Sequence, residues 1–262
     1  MKKIVALSAF IGLACGSSAQ ECGTAYHWEK KYGANWKSLI EGQVIHAANA
    51  DFGSERATVT IPVVVHIIHA GDESNISYDQ VLSAIQMLNE DYSRTNADTI
   101  NTRNTPTAPF LPQAADMDIE FKLAKLDPWG ECTNGVERRL SPTATVNADD
   151  GVKHYGSGGL NAWNNSKYMN IWVVESIESS GSGGTILGYA YLPYWGIDSD
   201  FGILIRHDAF GTSGTASGDR TLSHEMGHSL GLLHTFEEGC HTSACDSNGD
   251  YVCDTPPEAE AT

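Results

Sequence analysis

Residues 224–234 read His-Glu-Met-Gly-His-Ser-Leu-Gly-Leu-Leu-His and satisfy HExxHxxGxxH at every fixed position. On a helix His224 and His228 stand one turn apart, so both imidazoles project from one face and can share a metal ion, with Glu225 beside them. A helix that simply continued would carry His234 about 9 Å along the axis from His228. Gly231 resolves this, because glycine adopts the left-handed conformation that ends a helix and turns the chain back toward the metal. Three histidines leave the fourth tetrahedral position of a zinc ion open, the arrangement of a catalytic zinc site. Zinc would lower the pKa of its bound water toward ~7 and polarise a carbonyl, while Glu225 would take the water's proton and pass it to a leaving amine. The chemistry implied is amide hydrolysis. The one GxSxG of the chain, Gly227-His228-Ser229-Leu230-Gly231, lies inside this histidine motif and not on a strand-to-helix turn, which argues against a serine hydrolase.

The elements that must position these side chains are legible in outline. Residues 58–68 (Thr-Val-Thr-Ile-Pro-Val-Val-Val-His-Ile-Ile) are dense in β-branched side chains and predict a buried strand. Further strands are expected over 117–126, 168–174, 186–192 and 202–205. Val81, Ile85, Leu88 and Tyr92 form the stripe of an amphipathic helix over 77–92, expected to cover one sheet face. The pattern predicts an α/β fold. His66 and His69 also lie three apart, but in a strand their side chains point to opposite faces, so they read as ordinary structural histidines. The Gly-Ser clusters at 156–159 and 179–184 complete no phosphate-loop pattern and read as turns.

Before residue 57 the chain has a different character. Lys2 and Lys3 precede an apolar run from Ile4 to Ala14 and the small residues Ser17, Ser18 and Ala19, as in a secretory signal cut after Ala19. That run is about half the ~20 residues a spanning helix needs. Lipid modification at Cys15 is the weaker reading, since Gly12 stands where a branched apolar residue is expected. Residues 20–56 are polar and mixed, with helical pieces over 26–32 and 36–48, and a boundary is expected near Arg56. Domains are thus expected at 1–19, 20–56 and 57–262.

The 262 residues hold 33 acidic and 16 basic side chains, a net charge of −17. Such a chain repels nucleic-acid backbones and anionic membranes and attracts cations and basic peptides. Cys22, Cys132, Cys240, Cys245 and Cys253 lie beyond the expected signal, an odd count for an exported protein.

Beyond His234 the chain runs Thr235-Phe236-Glu237, then Cys240, then Gly249-Asp250-Tyr251-Val252-Cys253-Asp254-Thr255-Pro256. Upstream it carries Ile61-Pro62-Val63-Val64-Val65-His66, Leu88-Asn89-Glu90-Asp91-Tyr92, Asn134-Gly135-Val136, Met169-Asn170-Ile171-Trp172 and Leu187-Gly188-Tyr189-Ala190. With the zinc motif, these segments resemble the pappalysin family (peptidase family M43) of metzincins, in its secreted bacterial branch. The resemblance implies a secreted zinc endopeptidase made as a zymogen and acting on peptides or proteins. Its fold would be a twisted mixed sheet with a backing helix and an active-site helix near 219–231. Leu187, Gly188, Tyr189 and Ala190 would form an edge strand that pairs with extended substrate. Calcium is implied too, with Asp250, Asp254 and Thr255 as ligands. Cys22, opening Cys22-Gly23-Thr24, matches a propeptide motif in which the thiolate holds zinc's open position, making the chain's own propeptide its inhibitor; Cys22 in a disulfide, or simply unpaired, is the bland alternative. Cys132, Cys240, Cys245 and Cys253 could then form two disulfides of unreadable pairing.

One departure stands against the pattern. Metzincins place a methionine turn beneath the zinc, but Met1, Met87, Met117, Met169 and Met226 all precede His234. The C-terminal subdomain is therefore expected to be truncated, and a noncatalytic exported zinc- or calcium-binding protein, or an inactive protease remnant, is the alternative function.

Overall fold

A computed structural model describes residues 20–48, 57–106, 108–179, 185–237, 249–253, 255–256 and 258–259. The expected signal, the boundary near Arg56, the Gly-Ser cluster from 180 on and Asp254 lie outside these residues. In chain order the elements are β1 (Gln20–Cys22), α1 (Thr24–Tyr32), α2 (Trp36–Ala48), β2 (Val59–His69), α3 (Tyr78–Tyr92), β3 (Asn104–Thr105), β4 (Ala108–Pro109), β5 (Ile119–Leu123), β6 (Val136–Leu140), α4 (Pro142–Thr145), β7 (Met169–Val174), β8 (Thr185–Ala190), β9 (Ile203–Arg206) and α5 (Thr221–Ser229).

Seven strands form one mixed sheet in the order β1-β8-β9-β7-β2-β5, with β6 continuing beside the second half of β2. All pairs are parallel except β8 with β9. β2 lies in the interior of the sheet, and Val63, Val64, Val65, Ile67 and Ile68 are fully buried, as its β-branched density dictates. The five strands expected from sequence are present, with ends shifted by a few residues. β6 was not anticipated, because Val-Glu-Arg-Arg-Leu carries three charges in five positions. It is paired only with β2, so its charged side chains reach solvent or partners.

α3 covers one face of the sheet. Ser77 caps it, its hydroxyl accepting from the Gln80 amide at 3.0 Å. Val81, Ile85, Leu88 and Tyr92 are buried, as the spacing predicts. Burial of a side chain such as Leu88 contributes about 1.5–3 kcal/mol. The Tyr92 hydroxyl donates to the Ser223 carbonyl at 3.2 Å and so ties this backing helix to α5. Asp91, also buried, accepts from the Ser223 hydroxyl and faces the Arg220 guanidinium at 3.4 Å. These contacts hold α5 in position against α3.

His66 is consumed structurally: Nδ1 meets the Glu137 carboxylate and Nε2 the Asn170 side-chain oxygen, both at 2.8 Å, and the ring stacks on Trp172. Residues 156–159 form a tight turn, with Gly158 at φ +94°.

Candidate active site

α5 presents His224, Glu225 and His228, and the chain turns back immediately after it. Gly231, at φ +96°, is the residue that permits this. Its amide bonds to the His228 carbonyl at 2.9 Å and the Leu232 amide to the Gly227 carbonyl at 2.9 Å, the paired bonds of a Schellman cap. Tyr194 closes over the turn, its hydroxyl donating to the Gly231 carbonyl at 2.8 Å. A methyl group at Gly231 would stand 2.8 Å from that hydroxyl. Gly231→Ala is therefore expected to lower stability by about 1–2 kcal/mol and to weaken metal binding with it. Thermal unfolding and metal titration of that variant are the check.

The turn brings His234 onto the other two histidines. The three Nε2 atoms lie 3.1 Å (His224 to His228) and 3.2 Å (each to His234) apart. His228 Nδ1 faces the Leu232 carbonyl at 2.7 Å and His234 Nδ1 the Glu237 carboxylate at 3.2 Å. Donation through Nδ1 leaves the Nε2 lone pairs of both rings aimed at a common point. Cys22 Sγ stands 3.6 Å from His228 Nε2, and the four ligand atoms lie within 4.8 Å of one another. Among the described residues this is the single such cluster.

The donor set fits zinc. Nitrogen ligands at 2.0–2.1 Å in a tetrahedron stand about 3.3 Å apart, and a thiolate at 2.3 Å stands about 3.5 Å from each nitrogen. Burial and mutual repulsion push the His224 imidazole well below its usual range, while burial, helped by His234, takes His228 down to about 3. A convergence of neutral lone pairs is electrostatically costly by itself and is relieved by a cation.

The N-terminal segment fills the rest of the site. Glu225 is fully buried; Cys22 donates to one carboxylate oxygen at 3.4 Å and Thr24 Oγ1 to the other at 2.8 Å. Burial raises the Glu225 carboxyl to about 7 against the pull of those two hydrogen bonds. Burial and the Glu225 charge push the Cys22 thiol well up. The Thr24 hydroxyl also accepts from the Ala190 amide at 3.1 Å, Trp28 Nε1 donates to the Ala190 carbonyl at 2.8 Å, and the Gly23 amide to the Gly188 carbonyl at 3.0 Å. The Trp28 ring abuts His228 edge-on at 5.4 Å. The strand expected at the sheet edge, Leu187 to Ala190, is thus second from it: β1 lies outside β8 and runs parallel to it. Gly188 leaves room for Glu225, since a Cβ there would meet Glu225 Cγ at 3.1 Å.

Sequence reasoning had no means of finding Thr24 as a partner of Glu225, nor the network behind β8. There Asp150 accepts from the Tyr189 and Tyr191 hydroxyls at 2.9 and 2.5 Å and pairs with the fully buried Lys153 at 2.8 Å. Burial works against the Asp150 charge, but Lys153 and the two tyrosines hold its carboxyl at about 2.

The remaining assigned residues fare differently. Asp250 accepts from the Val252 amide at 3.1 Å, and Thr255 Oγ1 is buried with no hydrogen-bond partner. Asp250 joins no group of three or more His, Cys, Asp or Glu side chains among the described residues. Cys22 and Cys132 are free thiols and Cys253 is disulfide-bonded. The expectation that Cys132 pairs is therefore corrected: it is exposed, bridged through its backbone to Leu126 across a small hairpin.

Residues 159–262 match the family model described as Pregnancy-associated plasma protein-A, of M43 peptidases. Mature mirolysin of Tannerella forsythia, solved with a cleaved peptide, is 40% identical with a TM-score of 0.66, over 78% of this chain and 74% of that one. A promirolysin mutant of the same organism is 34% identical with a TM-score of 0.72, over 93% of this chain and 77% of that one. An extracellular metalloprotease of Arthroderma gypseum is 25% identical over 270 residues, covering 100% of this chain and 75% of that protein. The chain thus spans about three quarters of the length of each. Fold, histidine cluster and relatives together define the class, a metalloendopeptidase made as a zymogen. Within that class the chain belongs to the pregnancy-associated plasma protein-A family, the pappalysins.

Proposed function

We propose that His224, His228 and His234 hold zinc, that Glu225 is the general base for peptide-bond hydrolysis, and that residues 20–56 are an inhibitory propeptide whose Cys22 supplies the fourth zinc ligand. The observation that carries this reading is the convergence of three imidazole nitrogens and one thiol beside a buried carboxylate. Bound zinc supplies Lewis-acid polarisation of the scissile carbonyl and acidifies water. Glu225 accepts the proton of the attacking water and delivers it to the departing amine.

The backbone of β8 aligns the substrate. The Gly188 carbonyl and the amide and carbonyl of Ala190, now bonded to Gly23, Thr24 and Trp28, are the groups an extended peptide would use by strand addition. Residues 1–19 serve as the export signal, with cleavage after Ala19, and a cut near Arg56 frees the site. Calcium at Asp250, Asp254 and Thr255 belongs to the same reading, supported by the unpartnered Thr255 oxygen. The test is hydrolysis of a peptide library by the activated protein. Chelation is expected to abolish cleavage and zinc to restore it, whereas a protein that binds zinc and cuts nothing refutes the enzyme assignment.

Latency should also depend on pH. His27, on α1, is 3% exposed, stacks on Tyr189 with centroids 3.6 Å apart, and its Nε2 has no hydrogen-bond partner. Burial pushes its imidazole down to about 4 from an ordinary 6.5; Asp150 and Glu178 oppose this, and Lys153 and Lys30 add to it. A group depressed in the docked state and ordinary in the released state supports docking fully above pH 6.5. That support is lost as pH falls from 6.5 toward 4, by about 2 kcal/mol, or ~30-fold, at pH 5. Precursor activation at pH 5 and 7.5 is the measurement. His27→Phe should flatten the difference, and an undiminished acid response in that variant would show that another group carries it.

A further inference from the structure

We infer that Glu237 is a positioning residue for the third zinc ligand, and that Lys37 of the N-terminal segment competes with His234 for its carboxylate. The inference rests on the zinc site assigned above and concerns how one of its ligands is held. Glu237 lies one turn past His234, its amide bonded to the His234 carbonyl at 3.0 Å. Its two carboxylate oxygens face two different partners. Oε2 lies 3.2 Å from His234 Nδ1, and Oε1 lies 2.5 Å from Lys37 Nζ. Both His234 and Glu237 are at least nine-tenths buried, with Phe236 stacked on the His234 ring at 4.7 Å.

Consequences follow for ligand strength. A carboxylate that accepts the Nδ1 proton fixes the tautomer in which Nε2 carries the lone pair, orients the ring, and makes the imidazole a stronger donor. His228 receives only a neutral carbonyl, from Leu232, in the equivalent position. His234 also sits beyond the end of α5, on a chain that has already turned at Gly231, so it lacks the helical scaffold that orients His224 and His228. The ligand with the least backbone support is the one with the charged outer partner. Lys37, on α2, draws on the same charge while the N-terminal segment is docked. Among the described residues, removal of that segment leaves the carboxylate to His234 alone, so unmasking of the site and strengthening of its third ligand occur together.

The experiment measures zinc affinity of the intact precursor by competition with a chromophoric chelator. Wild type, Glu237→Ala, Glu237→Gln and Lys37→Met are compared, together with the visible spectrum of the cobalt-substituted proteins. Glu237→Ala should weaken zinc binding by about tenfold or more. Glu237→Gln, which keeps an acceptor and loses the charge, should recover part of that loss, and Lys37→Met should shift affinity the opposite way. The cobalt spectrum should move in Glu237→Ala, which a purely structural role would leave unchanged. Zinc affinity in Glu237→Ala equal to that of wild type overturns the inference, as does weaker binding in Lys37→Met. If Glu237→Ala does not fold, Lys37→Met and Glu237→Gln decide the matter alone. A wild-type precursor that binds no zinc overturns the zinc assignment itself, and this inference with it.

Discussion

Glu225→Gln in the activated protein is expected to reduce peptide hydrolysis by about 10³-fold or more while zinc still binds one to one. Glu225 is fully buried and its carboxylate oxygens contact only groups of the docked N-terminal segment, so once that segment leaves no other described side chain holds them. Removing a positioned proton-transfer group costs typically 10²–10⁴-fold, and both transfers in this reaction use the same carboxylate. Gln is isosteric and neutral, so His224, His228 and His234 keep their places and the loss falls on kcat. The check pairs steady-state cleavage of a short peptide with metal analysis. Activity within tenfold of wild type would remove Glu225 from the mechanism, and loss of zinc together with activity would make it a structural residue. Glu225→Asp adds a finer test, since shortening by one methylene withdraws the carboxylate from the positions at which Cys22 and Thr24 meet it.

The second large effect concerns latency. Replacing Cys22 with Ala or Ser in the precursor should make it active sooner, yet not fully so, because Thr24 still holds Glu225 at 2.8 Å and the Ala190 amide at 3.1 Å. A buried hydrogen bond to a charged group contributes about 1.5–3 kcal/mol, equivalent to roughly 10–100-fold in occupancy of the closed state. Cys22→Ala combined with Thr24→Val should therefore exceed the single variants, and by more than their product, since the two side chains share one carboxylate. The assay is cleavage of a short peptide by uncut precursor, with electrophoresis to show that it stays uncut. A double variant as inert as the wild-type precursor would mean that neither contact maintains latency. Equal activity in the Cys22 single and double variants would leave the thiol as the sole lock.

What could be read from the residues alone divides along a physical line. His224, Glu225, His228 and Gly231 are legible because their geometry is set within one helix and its cap, and local spacing encodes it. His234 follows once the turn at Gly231 is granted. The stripe on α3 and the β-branched run of β2 are legible for the same reason, since each declares which face is buried. Thr24 is not, because its importance lies in meeting Glu225 across 201 positions of chain. β1 is not either: Gln-Glu-Cys has little strand preference of its own, and the open side of β8 imposes its extended form. Asp150 and Lys153 carry no such local signal, because their pairing matters only where Tyr189 and Tyr191 close over them. Calcium lay at the other extreme, where acidic residues near one another suggest a cation but fix no geometry.

The pairing of β1 with β8 bears on colloidal behaviour as well as on catalysis. While it is in place the sheet ends in a strand of three residues; when it leaves, β8 presents backbone donors and acceptors flanked by buried aromatic side chains. An uncovered strand edge of this kind can pair with another molecule as readily as with a substrate. On the reading proposed above, the docked N-terminal segment also guards the strand against self-association, and the 28 acidic and 10 basic side chains of residues 57–262 supply a mutual repulsion that persists after the guard is cut away.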